Sequence, residues 1–106
     1  MTERTANDPP EYDGAAYTID VARRRADRDE WTDVADLAHE SIERVQYTDY
    51  PHLFDDLHRQ ATDVVLRLKR EDPDHERVRE RLEEMQVTVE EMQALATSGR
   101  SMLPSD

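Results

Sequence analysis

Apolar positions recur along most of this chain at intervals of three and four, the spacing that brings side chains to one side of an α-helix. Ala15, Ile19, Ala22 and Ala26 form a small, weakly apolar stripe that predicts a first helix over about residues 15–28. Trp31, Val34, Ala35, Ala38, Ile42 and Val45 form a second stripe and predict a helix over about residues 31–46, with Asp29 or Glu30 near its positive N-terminal end. The acid-rich stretch 27–30 separates the two. Tyr17, Ile19 and Val21 alternate as a short strand would, but a lone strand has no partner elsewhere in the pattern, so the helical reading holds.

The third stripe is the most apolar. Phe54, Leu57, Ala61, Val64 and Leu68 make a heptad-like seam, widened by Leu53 and Val65 to the breadth of a core-facing helix. Pro51 suits a first turn and Thr48 or Asp49 can cap it, which places this helix over about residues 51–71. Asp72-Pro73 then ends it and opens the next, because proline disfavours helix at the residue before it and fits the first turn after it. Val78, Leu82, Met85, Val89, Met92 and Ala96 continue the spacing to Gly99, read as a C-terminal cap. The pattern predicts an all-α fold, a four-helix antiparallel bundle of two short and two long helices that ends in a long helical hairpin. Residues 14–99 form its single domain, between a disordered tail over 1–13 that has little to bury and a C-terminal tail over 100–106.

Helix length adds an expectation about assembly. At 1.5 Å per residue the last two helices would reach about 33 and 36 Å and the first two about 21 to 24 Å. Roughly 10 Å of apolar seam would then lack cover from the N-terminal helices, and a second copy is the simplest cover, so a homodimer is expected. Its contacts would come from Leu53, Leu57, Val78, Leu82, Met85, Val89 and Met92. Met85 and Met92 serve either as adaptable core filling or as the lining of a binding groove.

Charge changes the picture of where such a bundle works. The chain has 26 acidic and 14 basic residues, a net charge of -12 over 106 residues, and Lys69 is its only lysine. That surplus repels itself until concentrated salt shortens the screening length to about 3 Å near 1 M. The composition resembles that of cytoplasmic proteins of salt-in halophiles, and it implies a high-salt cytosol. No apolar run approaches the ~20 residues of a membrane span, and residues 1–13 have neither the basic start nor the apolar stretch of an export signal. The absence of cysteine excludes disulfides, thiolate metal sites and a Cys nucleophile. The acid is also uneven: residues 47–71 carry a net -1 and residues 72–99 a net -5. The third helix is therefore the expected centre of the bundle, and Glu83, Glu84, Glu90 and Glu91 an acidic rim.

Few residues offer chemistry. Arg23, Arg24, Arg25 and Arg28 form the one basic cluster, which reads either as a phosphate contact or as a solvated face paired with Asp20, Asp27 and Asp29. The net charge opposes nucleic-acid binding. Every histidine follows an aspartate by three positions, in Asp36/His39, Asp49/His52, Asp55/His58 and Asp72/His75. On a helix this spacing sets carboxylate and imidazole on one face. Asp36, His39, Asp55 and His58 are the candidates for a metal site, and capping aspartates with solvated histidines are the competing reading. There is no glycine-rich phosphate loop, no Gly-x-Ser-x-Gly turn and no two-histidine zinc motif, and no cofactor is expected.

Over residues 19–45, small residues at Ala22 and Ala26, a polar turn, Trp31, and then Val34, Leu37-Ala38 and Ser41-Ile42-Glu43-Arg44 resemble the helix pair of tetratricopeptide repeats. That resemblance implies adaptor-like binding. The same stretch is similar to the first helices of HEPN domains, whose ribonuclease site pairs an arginine and a histidine with four to six residues between them. Arg70 and His75, with four residues between them, match that spacing, although Pro73 intervenes and Glu71 stands where a polar residue usually follows the arginine. The resemblance implies an acid or base role for His75 and phosphate stabilisation by Arg70. The expected function is a non-catalytic protein-protein interaction or regulatory protein. The alternatives are a HEPN-like ribonuclease or toxin-related module using Arg70 and His75, and an acidic mimic of nucleic acid built on the Glu83–Glu91 rim.

Overall fold

The computed structural model describes residues 10–102, with side chains through residue 97. Four helices follow one another: α1 (Tyr12–Asp27), α2 (Val34–Arg44), α3 (Pro51–Leu68) and α4 (His75–Met102). Short links reverse the chain three times. Each helix packs on two neighbours, α1 and α3 both lying against α2 and α4, so the bundle closes into an antiparallel ring. It has no strand among the described residues. The stripes read from the sequence line its axis: Ala15, Ile19, Ala22 and Ala26 from α1, Val34, Ala38 and Ile42 from α2, Leu57, Ala61 and Val64 from α3, and Val78, Leu82 and Met85 from α4 are all buried.

The helix ends show where local chemistry overrides periodicity. α1 begins at Tyr12, inside the stretch assigned to the N-terminal tail, because that residue has contacts that the apolar stripe alone does not register. The Tyr12 hydroxyl lies 2.7 Å from Thr48 Oγ1, its ring meets Tyr50 at 6.3 Å, and the Glu11 amide donates to the Arg44 carbonyl at 2.8 Å. Gly14 sits within α1, where a Cβ would stand 3.0 Å from Nη1 of the Arg44 side chain, so glycine leaves room for that guanidinium. The remaining tail residues, 1–9 and 103–106, lie outside the described residues.

α1 ends in a Schellman arrangement. The Glu30 amide donates to the Arg25 carbonyl at 2.8 Å and the Asp29 amide to the Ala26 carbonyl at 3.0 Å, while Asp29 takes φ 58°. α2 is shorter than its stripe, and Trp31 precedes it rather than opening it. The third helix stops at Leu68, three residues early, since the link 69–74, which contains Pro73, is needed to reverse the chain. α4 then starts two residues after that proline with Asp74 as its cap, whose Oδ1 accepts from the Arg77 amide at 3.2 Å. At the far end the helix runs through Gly99 to Met102, so Gly99 is no cap; glycine costs an interior helix about 1 kcal/mol without forbidding it.

Ring closure removes the expected uncovered seam. α1 covers α4 well towards its C-terminal end: Asp13 Oδ1 accepts from Gln93 Nε2 at 2.8 Å, and residues 10–14 share a hollow with Gln93, Ala96 and Thr97. Between α3 and α4, Asp63 Oδ2 accepts from Arg67 Nε at 2.8 Å and from Arg81 Nε at 2.7 Å.

Candidate interaction site

All seven residues assigned to partner contact, Leu53, Leu57, Val78, Leu82, Met85, Val89 and Met92, are buried in the core of a single chain. The apolar seam thus closes on the chain's own helices. Of the two readings of the methionines, Met85 and Met92 are core filling.

An apolar surface stays open between α2 and α3. A groove of about 460 Å³ is walled on one side by His39, Ile42 and Glu43 of α2, with Gln46 just beyond that helix. Its other wall is Phe54, His58, Ala61, Thr62, Val65 and Leu66 of α3. It exists because α3 is broader than one core can cover: Leu57, Ala61 and Val64 point to the axis, which leaves Phe54, Val65 and Leu66 on the shoulder. Leu66 is 55% exposed. An adjoining hollow shares His39, Glu43 and Val65 and extends past Asp36 to Lys69, so the two form one trough. Glu43 is the single formally charged residue among the ten lining the groove, in a chain that is 38% charged.

The histidine candidates divide. His39 and His58 line the same groove, but His39 Nδ1 lies 3.7 Å from Glu43 Oε2 and the His58 ring tilts against Phe54 at 6.1 Å. Among the described residues no group of three or more His, Asp or Glu side chains is arranged to hold a metal ion, so Asp36, His39, Asp55 and His58 do not form the metal site considered from spacing. His75, the first residue of α4, stacks on Trp31 with ring centroids 4.2 Å apart and planes 5° from parallel. Arg79 lies 5.2 Å from the same indole and donates to the Ala26 carbonyl at 3.0 Å. The indole Nε1 is buried and has no hydrogen-bond partner. Arg70 is exposed in the link, and no hydrogen bond or ion pair joins it to His75 among the described residues.

Arg23, Arg24 and Arg25 of the basic cluster meet acids. Arg23 donates to Gln86 and lies 3.5 Å from Glu83, Arg24 pairs with Asp20 at 3.0 Å, and Arg25 meets Asp33 at 3.3 Å. Of the three acids expected to pair with the cluster, Asp20 does so; Asp29 pairs instead with Arg79, and Arg23 reaches across to α4 and Arg25 to Asp33, which sequence spacing did not register. Spacing missed the α2–α3 trough too. Its one signal was the surplus breadth of the third stripe, where Val65 lies off the seam and Leu66 beyond it.

An all-α four-helix bundle with an open trough between its second and third helices is what the fold defines. No helix among the described residues is long and apolar enough to cross a membrane. In comparisons with family models, with curated proteins and with solved structures, no match to this chain is found.

Proposed function

We propose that this chain is a non-catalytic protein-protein interaction or regulatory protein of a high-salt cytosol, and that it meets its partner along the α2–α3 trough. The observation that carries the reading is the trough itself: an apolar groove whose lining includes one formal charge, Glu43, continued by a hollow that carries Asp36, Glu40 and Lys69, on a molecule of net charge -12. An exposed apolar strip of this kind has a cost in water that a bound protein segment removes. The salt reading rests on the charge of -12 and on the near replacement of lysine by arginine.

A photo-reactive amino acid in place of Thr62, which is exposed in the groove, tests the site directly. Irradiation in cells should give a discrete protein adduct that the same substitution at Tyr17 does not give, since Tyr17 is 68% exposed on α1, away from the groove. Indistinguishable adduct patterns at the two positions would sink the assignment.

A further inference from the structure

The occupant of the trough can be argued from its two walls. The α3 wall, formed by Phe54, His58, Val65, Leu66 and Lys69, contains no acid, and it holds the chain's only lysine. The α2 wall alongside carries Asp36, Glu40 and Glu43. An acidic wall and a wall of histidine, lysine and apolar groups thus lie side by side on antiparallel helices. A two-fold rotation about an axis running along the trough lays the α2 wall of one copy over the α3 wall of the other. Asp36 then comes opposite Lys69 of the second copy and Glu43 opposite His58, at the levels where each pair already shares a hollow within one chain.

From this geometry we infer that the trough is a self-complementary interface, and that the partner it fits is a second copy of this chain. The inference rests on the trough being an interaction surface, as proposed above. The placement of charge favours it: the three carboxylates of each trough lie on its α2 wall, and the rotation sets that wall over the acid-free α3 wall of the other copy and its Lys69. A C2 contact of this kind uses the same patch on both subunits and closes, so it ends at two chains. Its size sets its strength. From Phe54 to Lys69 the trough runs about 22 Å along α3, and two helices side by side are about 20 Å across, a projected footprint of about 440 Å². That lies below the roughly 800 Å² per partner of a standard stable interface, so the pairing is reversible and concentration-dependent.

Sedimentation equilibrium in about 2 M KCl should therefore show a mass that rises from one chain towards two as protein concentration rises. Leu66→Glu should hold the mass at one chain with the helical circular dichroism unchanged, because Leu66 is already largely exposed, while Tyr17→Glu should leave the pairing intact. The lack of native cysteine allows the register to be read separately. A mixture of the Asp36→Cys and Lys69→Cys chains should join through a short thiol-to-thiol crosslinker, whereas neither chain alone should. A one-chain mass at every concentration overturns the inference, as does a Leu66→Glu chain that still pairs or a mixture that fails to crosslink. If the mass stays at one chain while Thr62 still captures a different protein, the self-pairing fails and the interaction reading stands; if Thr62 captures nothing, both fail.

Discussion

Asp29 adopts φ 58°, a left-handed conformation that glycine usually fills at a helix end. The two amide bonds of the Schellman turn and the contact from Arg79 hold it there, at 3.1 Å from Asp29 Oδ1. That ion pair is solvent-exposed and contributes little, whereas the left-handed backbone costs an L-residue about 1 kcal/mol or more. Asp29→Gly should thus stabilise the fold by roughly 0.5 kcal/mol and raise the melting temperature by about 2 to 4 °C, measured by circular dichroism in molar KCl. An unchanged or lower melting temperature would mean that Asp29 is needed to hold Arg79 over Trp31. Trp31 itself marks a limit of reading residues by spacing. Its position fits the α2 stripe, yet it packs from the link and supplies the surface on which His75 lies.

Between elements, Asp63 is the clearest polar tie. Partial burial works to raise its pKa, but the hydrogen bonds from Arg67 and Arg81, reinforced by both positive charges, overrule burial and hold the carboxyl below its ordinary value. Since the folded-state pKa is the lower one, the stabilisation is complete above the unfolded value of about 3.9 and is lost as pH falls through the folded value. Asp63→Asn should cost about 1 kcal/mol at neutral pH, measured by urea unfolding in molar salt, and the gap to the native chain should close as pH falls through the lowered folded-state value. A gap that persists in acid would assign the loss to packing between α3 and α4 rather than to charge. At this scale the sequence was largely legible. Four stripes became four helices with the expected buried faces, because burial on a helix obeys a period that residue order alone reveals. The ends were less so: Tyr12, Trp31 and Asp74 take their places through contacts or caps at single positions, which a periodic stripe does not encode.

Over the whole molecule, a small core stands against a large like charge. Alanine supplies much of the α1 face, and the closed bundle measures 57 × 32 × 22 Å. Many of its cross-helix ties are arginine–acid pairs at the surface, such as Arg44 with Glu11 at 2.6 Å, and these weigh little against the repulsion of a net -12. Lowering KCl from molar to about 0.1 M lengthens the screening distance from about 3 to 10 Å, so helical circular dichroism should fall. Helicity retained at low salt would make the acid surface a device for solubility alone.

Residue order by itself determined the helix count, the inward faces and the charge, because periodicity and composition are properties of the chain that no packing alters. It marked the third stripe as the broadest as well, but not what that breadth was for. Only the tertiary structure decided that the α4 seam closes on its own chain, that His39 and His58 face one groove without making a metal site, and that His75 lies against Trp31. Each of these depends on which helix stands beside which. A stripe says that a face will be buried, while the ring of neighbours decides what buries it and which shoulder, here Phe54, Val65 and Leu66, is left for something else to cover.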